Sequence, residues 1–313
     1  MRAYVLSEIG AEPELVDVPD PVPEPDEVLV RVAGSSVNPH DVMVASGAAA
    51  RYMTYELPAV LGTDFSGAVV AVGSEIGDLA AGDRVFGLLR ELHVRRGTFA
   101  ELVAVPRTWA ARTPEHVSDD FAGTLGLAAL TAVRCVEATT LAPGSRVLVN
   151  GATGGVGSYL TQMLSARGME VVATTRAGAE EEHVRAMGAE HVVDWSEGDL
   201  ARSVRPPDED GLHAVFDLVN RDSAVLTSLA SAVLADGGWV VSTAHAATRD
   251  PASAWTAVNV VATADRDALA AIGDLASTET LRSAIRREYE LAQLNDALSR
   301  LGRGAVGKVA IKL

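Results

Sequence analysis

Residues 147–157 read VLVNGATGGVG, with glycines at 151, 154 and 157 between an apolar run and a helix-like stretch, SYLTQMLSARG. Val147, Leu148 and Val149 suit a strand buried on both faces, which shows as a continuous apolar run. Glycines at this spacing let the backbone turn sharply, approach a pyrophosphate closely and pack the following helix tightly on the strand. The helix N-terminus then presents unpaired N–H groups and the positive end of its dipole to phosphate oxygens. A glycine cluster alone is first of all a turn. Here a strand precedes it, a helix follows, and a second apolar run, EVVATT at 170–175, closes a unit of the right length. The pattern predicts a dinucleotide loop in which Gly151, Gly154, Gly155, Val156 and Gly157 hold the pyrophosphate.

The end of the second strand bears on which dinucleotide. A carboxylate there hydrogen-bonds the ribose hydroxyl of NAD and repels a 2′-phosphate. This chain has Thr174, Thr175 and Arg176 instead. Arg176 can take a phosphate in a bidentate pair and Thr175 can add a hydroxyl, which favours NADPH. Against that stands a solvated Arg176, and the run Glu180, Glu181, Glu182 just beyond it. Those glutamates suit the first turn of a helix, but near a phosphate they would weaken the NADPH reading.

The elements that position these groups follow a plan. The chain has 313 residues, enough for two domains, with 48% hydrophobic and 22% charged residues, the composition of an ordinary globular protein. No run approaches the length of a membrane helix. The N-terminal stretch lacks a signal-peptide layout, so the expected location is cytoplasmic. A net charge of −16, from 26 basic and 42 acidic residues, argues against nucleic acid or an anionic membrane as partner. The single cysteine, Cys135, excludes an internal disulfide and a cysteine-based zinc cluster, and its apolar helical surroundings read as core. Up to about 118 the chain is β-rich: short apolar runs (VLVRVAG, FSGAVVAVG, RVFGLL, FAELVAVP) alternate with Gly, Pro and Asp as in a compact antiparallel barrel. From 119 an alanine- and leucine-rich helical texture begins. Further strands are expected at 170–175, 191–195, 213–219, 238–243 and 257–262, with helices such as 179–187 and 222–234 between them. Six strands alternating with helices predict a doubly wound parallel sheet over 119–269. The last segment, from about 270, ends in a strand (VAIKL) expected to rejoin the N-terminal domain, 1–118.

The segments VNPHD (37–41), LPAVLGTDFSGAVVAVG (57–73), GDRVFG (82–87), GTFAELVAVP (97–106), LTA (130–132), NGATGGVG (150–157), GAEHVVDW (188–195) and GKVAIKL (307–313) occur in one order over nearly the whole chain. That order resembles the medium-chain dehydrogenase/reductase superfamily, and within it the zinc-independent quinone oxidoreductase branch. The resemblance implies an α/β protein made of a GroES-like β-rich catalytic domain and a Rossmann domain. Zinc-dependent members carry Gly-His-Glu where this chain has Gly62, Thr63 and Asp64, and a cysteine ligand near Ser36 or Asn38. Catalytic zinc needs three protein ligands, so a zinc site is not expected. Members that use NADPH often place a lysine shortly after the second strand and a tyrosine after the third; this chain has the glutamates and Trp195 there.

What the resemblance implies chemically is hydride delivery from NADPH to a conjugated acceptor, a quinone or an α,β-unsaturated carbonyl, with the protein orienting two planar groups and supporting the enolate oxygen. The candidate residues around the reaction are Asn38, Tyr52, Tyr55 and Thr63. Asn38 would line the nicotinamide or donate to the substrate oxygen; the alternative is a turn residue before Pro39. Thr131 matches a segment that faces the nicotinamide in relatives, or is a helix hydroxyl bonding its own backbone. Tyr52 and Tyr55 would donate a proton or stack on a ring, or simply pack. Asn220 and Ser242, at strand ends, fall on the carboxyl edge where the cofactor lies, and Lys308 would reach the cofactor from the returning strand or be a surface charge. Two other readings stay open: an enoyl-thioester reductase, for which Arg51, Arg90, Arg95 and Arg96 would form a basic entrance, and a cofactor-binding sensor without turnover. A homodimer through the edge of the nucleotide sheet, around 238–262, is the expected assembly.

Overall fold

The computed structural model describes residues 1–204, 211–249 and 253–313. The chain divides into two compact units, one of residues 1–130, 263–279 and 285–313, the other of residues 131–262 and 280–284.

The first unit is built on the strand Glu27–Val37, which pairs antiparallel with Asp64–Val72, Leu102–Pro106 and Lys308–Lys312. The first half of this strand alternates, and its second half is almost wholly buried. That switch has a physical cause: the helices Asp119–Ala122 and Leu294–Gly302 pack on this half, against Gly34 and Val37. The returning strand Lys308–Lys312 pairs along its edge, with Val309 opposite Val37 and Ile311 opposite Ser35. The sheet as a whole runs Ala110–Arg112, Arg84–Leu88, Asp64–Val72, Glu27–Val37, Lys308–Lys312, Ile285–Glu290. Two apolar clusters fill the unit. One gathers Val28, Val30, Phe65, Val85 and Val105; the other joins Leu6, Leu61 and Phe99 to Leu294, Val309 and Ile311.

The second unit is a six-stranded parallel sheet in the order His191–Asp194, Glu170–Thr175, Arg146–Asn150, Leu212–Asp217, Leu234–Ser242, Thr256–Asn259. Chain order reverses beside Arg146–Asn150, where a doubly wound sheet opens a crevice at its carboxyl edge. The helices Ala179–Ala186 and Ser223–Val233 lie where the periodicity expects them. The fifth strand starts four residues earlier than 238, because Leu234 pairs with Leu212 across a register shift. Among the described residues no helix is long and apolar enough to cross a membrane.

The sequence places the boundary between the domains at 118–119, whereas the first unit extends to residue 130. Polar ties hold this stretch: Ser66 donates to the Asp119 carbonyl at 2.6 Å, Arg84 pairs with Asp119 at 2.7 Å, and the Leu127 amide donates to Asp64 at 2.6 Å. The helical texture after 119 also breaks in two, Asp119–Ala122 and Gly126–Glu137. Gly123 sits between them against the Gly34 backbone, and a Cβ there would come within 2.6 Å of the Gly34 carbonyl carbon.

Ile311 is fully buried in the returning strand. Ile311→Ala is expected to lower the unfolding free energy by about 2–5 kcal/mol in urea denaturation; a loss below about 1 kcal/mol would mean the terminal strand is peripheral to the core.

Candidate active site

In the second unit the glycine loop is pinned before it turns. The Asn150 side chain donates to Asp217 at 2.8 Å and accepts from the Thr174 hydroxyl at 3.0 Å, and the Thr174 hydroxyl in turn accepts from the Gly151 amide at 2.9 Å. Side chains from the strands on either side thus fix the loop's departure. Gly151 has φ +90°, a backbone conformation that favours glycine. A Cβ on Gly157 would collide with the Gly151 carbonyl and with Ala152, so the helix packs on the loop only with glycine there. Gly154 differs. It is the N-cap of the helix Gly155–Ala166, makes no side-chain cap, and a Cβ on it would meet nothing nearer than the Gly151 carbonyl at 3.6 Å. The first turn of a twelve-residue helix is therefore uncapped by any side chain and open beside Gly154, the arrangement a pyrophosphate fits. Gly155, Val156 and Gly157 supply its amides.

At the end of the second strand the Thr175 hydroxyl donates to the Arg176 carbonyl at 2.9 Å. Arg176 is not a lone cation: its guanidinium donates to Glu180 at 2.8 and 3.1 Å and lies over the Trp195 ring, 5.9 Å from its centre. Asn220 turns back on the strand end, its side chain donating to Asp217 at 2.5 Å and its amide at 2.7 Å. Ser242 is fully buried and accepts from the Ala244 and Ala246 amides. Both residues thus shape the loops at the carboxyl edge. Thr131 is buried within Gly126–Glu137.

The first unit holds a buried polar cluster that joins three of the sequence candidates, Asn38, Thr63 and Lys308. Its hub is Asp64, fully buried, which accepts from Ser36 at 2.5 Å, Asn38 at 2.8 Å, Lys308 at 3.4 Å and the Leu127 amide at 2.6 Å. Lys308, only 3% exposed, also donates to the Asn38 carbonyl oxygen at 2.7 Å. A cation on one end of the Asn38 carboxamide and a carboxylate on the other set its orientation. Lys308 is not a surface charge; it lies in the first unit's own cluster.

Asp41 is the second buried carboxyl. It closes a capping box by accepting from the Asn38 amide at 2.7 Å, and it accepts from the Thr63 hydroxyl at 3.2 Å. Burial first, and the neighbouring Asp64 charge second, push its pKa up to about 7. His40 goes the other way, down to about 4, from burial and then the Arg90 charge. His40, Asp41, Thr63 and Arg90 line one open pocket within this unit, together with Met53 and His93. The structure does not bring the two tyrosines to it. The Tyr55 hydroxyl donates to the Val44 carbonyl at 2.9 Å, and Tyr52 is 69% exposed beside Arg51. Ser36, Asp41 and Asp64 are the residues that sequence reasoning left outside the candidate set. Ser36 and Asp64 showed only as positions where zinc ligands of relatives are missing.

The sequence matches the family described as "Alcohol dehydrogenase GroES-like domain" over residues 24–115 and the one described as "Zinc-binding dehydrogenase" over residues 155–276. An alcohol dehydrogenase superfamily protein from Novosphingobium aromaticivorans is 31% identical, superposes with a TM-score of 0.86, and the match covers 100% of this chain and 99% of that one. The quinone oxidoreductase from Coxiella burnetii is 25% identical with a TM-score of 0.87, over 100% of this chain and 99% of that one. A putative quinone oxidoreductase of Bacillus subtilis, YhfP, is 38% identical over 174 residues, 54% of this chain and 51% of that protein. The chain belongs to the medium-chain dehydrogenase/reductase superfamily, in its zinc-independent quinone oxidoreductase branch. The aligned part spans about half the length of several curated relatives, 56%, 51% and 56% for three of them, and 8% of a Mycobacterium tuberculosis polyketide synthase. Among the described residues no group of three His, Cys, Asp or Glu side chains is placed to hold a metal ion.

The raised Asp41 pKa has a signed consequence. Between the ordinary value of 3.8 and about 7 the folded state holds a proton that the unfolded state has lost, so this group's contribution to stability falls as pH rises through that window. Asp41→Asn removes the slope while His40 titrates in both proteins. The unfolding free energy of the variant relative to the parent is expected to rise between pH 4 and pH 7, by at most about 1.4 kcal/mol per pH unit. Urea denaturation at several pH values measures it, and a difference constant with pH would overturn the assignment.

Proposed function

We propose that this chain is a metal-free reductase that delivers hydride from NADPH to a quinone or an α,β-unsaturated carbonyl. The observation that carries the reading is the pinned glycine loop with its uncapped helix N-terminus, next to a strand that ends in Thr175 and Arg176 with no carboxylate of its own. Names of relatives support the acceptor class: besides the quinone oxidoreductases, the chain is 31% identical over 257 residues to an Arabidopsis NADPH-dependent alkenal/one oxidoreductase and 31% over 251 residues to a tomato 2-methylene-furan-3-one reductase.

In this reading the bound nicotinamide supplies the hydride. Gly151, Gly154, Gly155, Val156 and Gly157 hold the pyrophosphate, and Thr175 and Arg176 hold the 2′-phosphate. Asn220 and Ser242 keep the carboxyl-edge loops in place, and Thr131 lies on the nicotinamide side. On the acceptor side the Thr63 hydroxyl turns its proton from Asp41 toward the developing enolate oxygen, with the protonated Asp41 carboxyl donating to it in return. Asn38 and Lys308 keep that wall rigid, because their polar atoms are spent on one another and on Asp64. A conjugated acceptor needs little more, since its reacting carbon is already electrophilic. The proposal includes a cytoplasmic homodimer that pairs along the edge strand Thr256–Asn259.

A second reading, reduction of an enoyl thioester, draws support from the 35% identity over 185 residues to the polyketide synthase. Oxidation of NADPH with 1,4-benzoquinone, 4-phenyl-3-buten-2-one and crotonyl-CoA separates the two. Turnover of the first two with at least about a tenfold lower kcat/KM for the thioester is expected. Preference for crotonyl-CoA would move the protein to the second reading, and binding without turnover on any acceptor would make it a sensor. Thr63→Val is expected to lower kcat by about 10²-fold with KM for NADPH unchanged.

A further inference from the structure

Glu180 does more than start a helix. Its carboxylate reaches back to the end of the second strand and engages the Arg176 amide and guanidinium, while the next amide, Ala177, goes to Asp194. One oxygen accepts from the Arg176 amide at 3.0 Å and, at 3.4 Å, shares the Thr175 hydroxyl proton that goes mainly to the Arg176 carbonyl; the other accepts from the Arg176 Nε at 3.1 Å and Nη2 at 2.8 Å. The Glu180 side chain is 17% exposed and that of Arg176 is 62% exposed, so the carboxylate sits inward and the guanidinium lies out on Trp195. The neighbouring glutamate behaves differently: Glu181 pairs with Arg185 at 2.8 Å along the helix face.

Hydroxyl, amide and guanidinium are the groups that would receive a 2′-phosphate. We infer that Glu180 is a tethered competitor for the cofactor's 2′-phosphate, holding Thr175 and Arg176 until a phosphate displaces it. The inference rests on the NADPH reading of the strand end and goes beyond it, because it assigns a residue that works against that cofactor. The physical reasons are three. Carboxylate and phosphate oxygens compete for the same guanidinium fork. Two anions sharing one guanidinium at hydrogen-bond distance repel. A tethered group acts at a high effective concentration, so it competes even where the individual contacts are weak. An exposed ion pair of this kind is nonetheless weak enough for a dianion to break, so Glu180 reduces the preference for NADPH and does not abolish it. NADH brings only a hydroxyl, which the Glu180 carboxylate accepts without being displaced.

The test is calorimetric titration of the full chain with NADPH, NADH, adenosine 2′,5′-bisphosphate and 5′-AMP, with no acceptor present. Glu180→Gln is expected to bind NADPH and the bisphosphate about tenfold tighter, with NADH and 5′-AMP within about twofold of the parent. Glu181→Gln makes the same charge change without touching Arg176 and is expected to leave all four affinities within about twofold. Arg176→Gln weakens the two 2′-phosphate ligands, and adding Glu180→Gln to it brings no further gain, as a shared partner requires. Trp195 fluorescence reports the same event, since displacing Glu180 moves the guanidinium off the indole. Unchanged NADPH and bisphosphate affinity in Glu180→Gln, or equal tightening by Glu181→Gln, overturns the inference. Parent protein that binds NADH more tightly than NADPH overturns the cofactor assignment instead, and an accompanying gain in Glu180→Gln still supports the competitor.

Discussion

The fully buried carboxylate of Asp64 is the interaction on which the first unit's chemistry depends. Removing an ion from water is costly unless its lone pairs are filled. Asp64 fills them from four directions: Ser36 and Asn38 from the end of the long central strand and the turn after it, Lys308 from the returning strand, and the Leu127 amide from the start of a helix. The donors come from three separate parts of the chain, so the cost of leaving any one out falls on the carboxylate. This is why the terminal strand takes up the register it does, with Val309 opposite Val37, and why the chain as far as residue 130 is drawn into the first unit. It also explains the unequal behaviour of two neighbouring acids. Asp64 takes the ammonium and three other hydrogen bonds, while Asp41, which accepts from the Asn38 amide and the Thr63 hydroxyl, is the one that burial and the Asp64 charge push up to about 7.

The second unit solves a related problem with amide and hydroxyl groups gathered around one carboxylate, Asp217. A loop that must expose its amides to a ligand cannot spend them on itself, so it needs support from elsewhere. Asn150 and Thr174 supply it by bonding each other, Asp217 and the Gly151 amide. Asp217 then ties down Val219 and Asn220 through the same carboxylate. One chain of hydrogen bonds crosses three adjacent strand ends and holds the carboxyl edge in shape without occupying the helix N-terminus.

The parts legible in the sequence are those whose cause is local. Val147–Val149 are apolar because both faces of their strand are covered, and the glycines follow because the turn and the helix contact demand them; both facts lie within eleven residues. The parallel character of the sheet follows from the same local alternation of strand and helix. The polar cluster does not show, because Lys308 and Asp64 are separated by 244 positions and nothing about a lysine in GKVAIKL marks it as buried. The tyrosines illustrate the converse. Their types suggest proton donation, yet Tyr55 finds a backbone acceptor eleven residues away and Tyr52 finds solvent. Glu180 lies between the extremes. Its spacing of four from Arg176 is visible in the sequence, but Arg176 precedes the helix, so the pair is a strand-end clasp and not a stripe on a helix face.

One compositional oddity takes on meaning from this cluster. Of the 26 basic residues only Lys308 and Lys312 are lysines, which in isolation reads as a bias toward arginine. At position 308 the choice is physical. The space between the Asn38 carboxamide oxygen and the Asp64 carboxylate offers two acceptors around one point, 2.7 and 3.4 Å from the ammonium. A lysine needs three acceptors and presents a compact charge; an arginine brings five N–H groups in a rigid fork, and a fully buried fork would leave several of them without a partner. An unpaired buried donor costs more than the pair returns. The other lysine, Lys312, stands half-exposed between the Asp120 and Glu288 carboxylates, so burial accounts for the lysine at position 308 alone. The position at which relatives with zinc place a metal is thus bordered here by an ammonium whose charge is already committed to Asp64. The pocket lining beside it keeps the Thr63 hydroxyl, the Asp41 carboxyl and the imidazoles of His40 and His93.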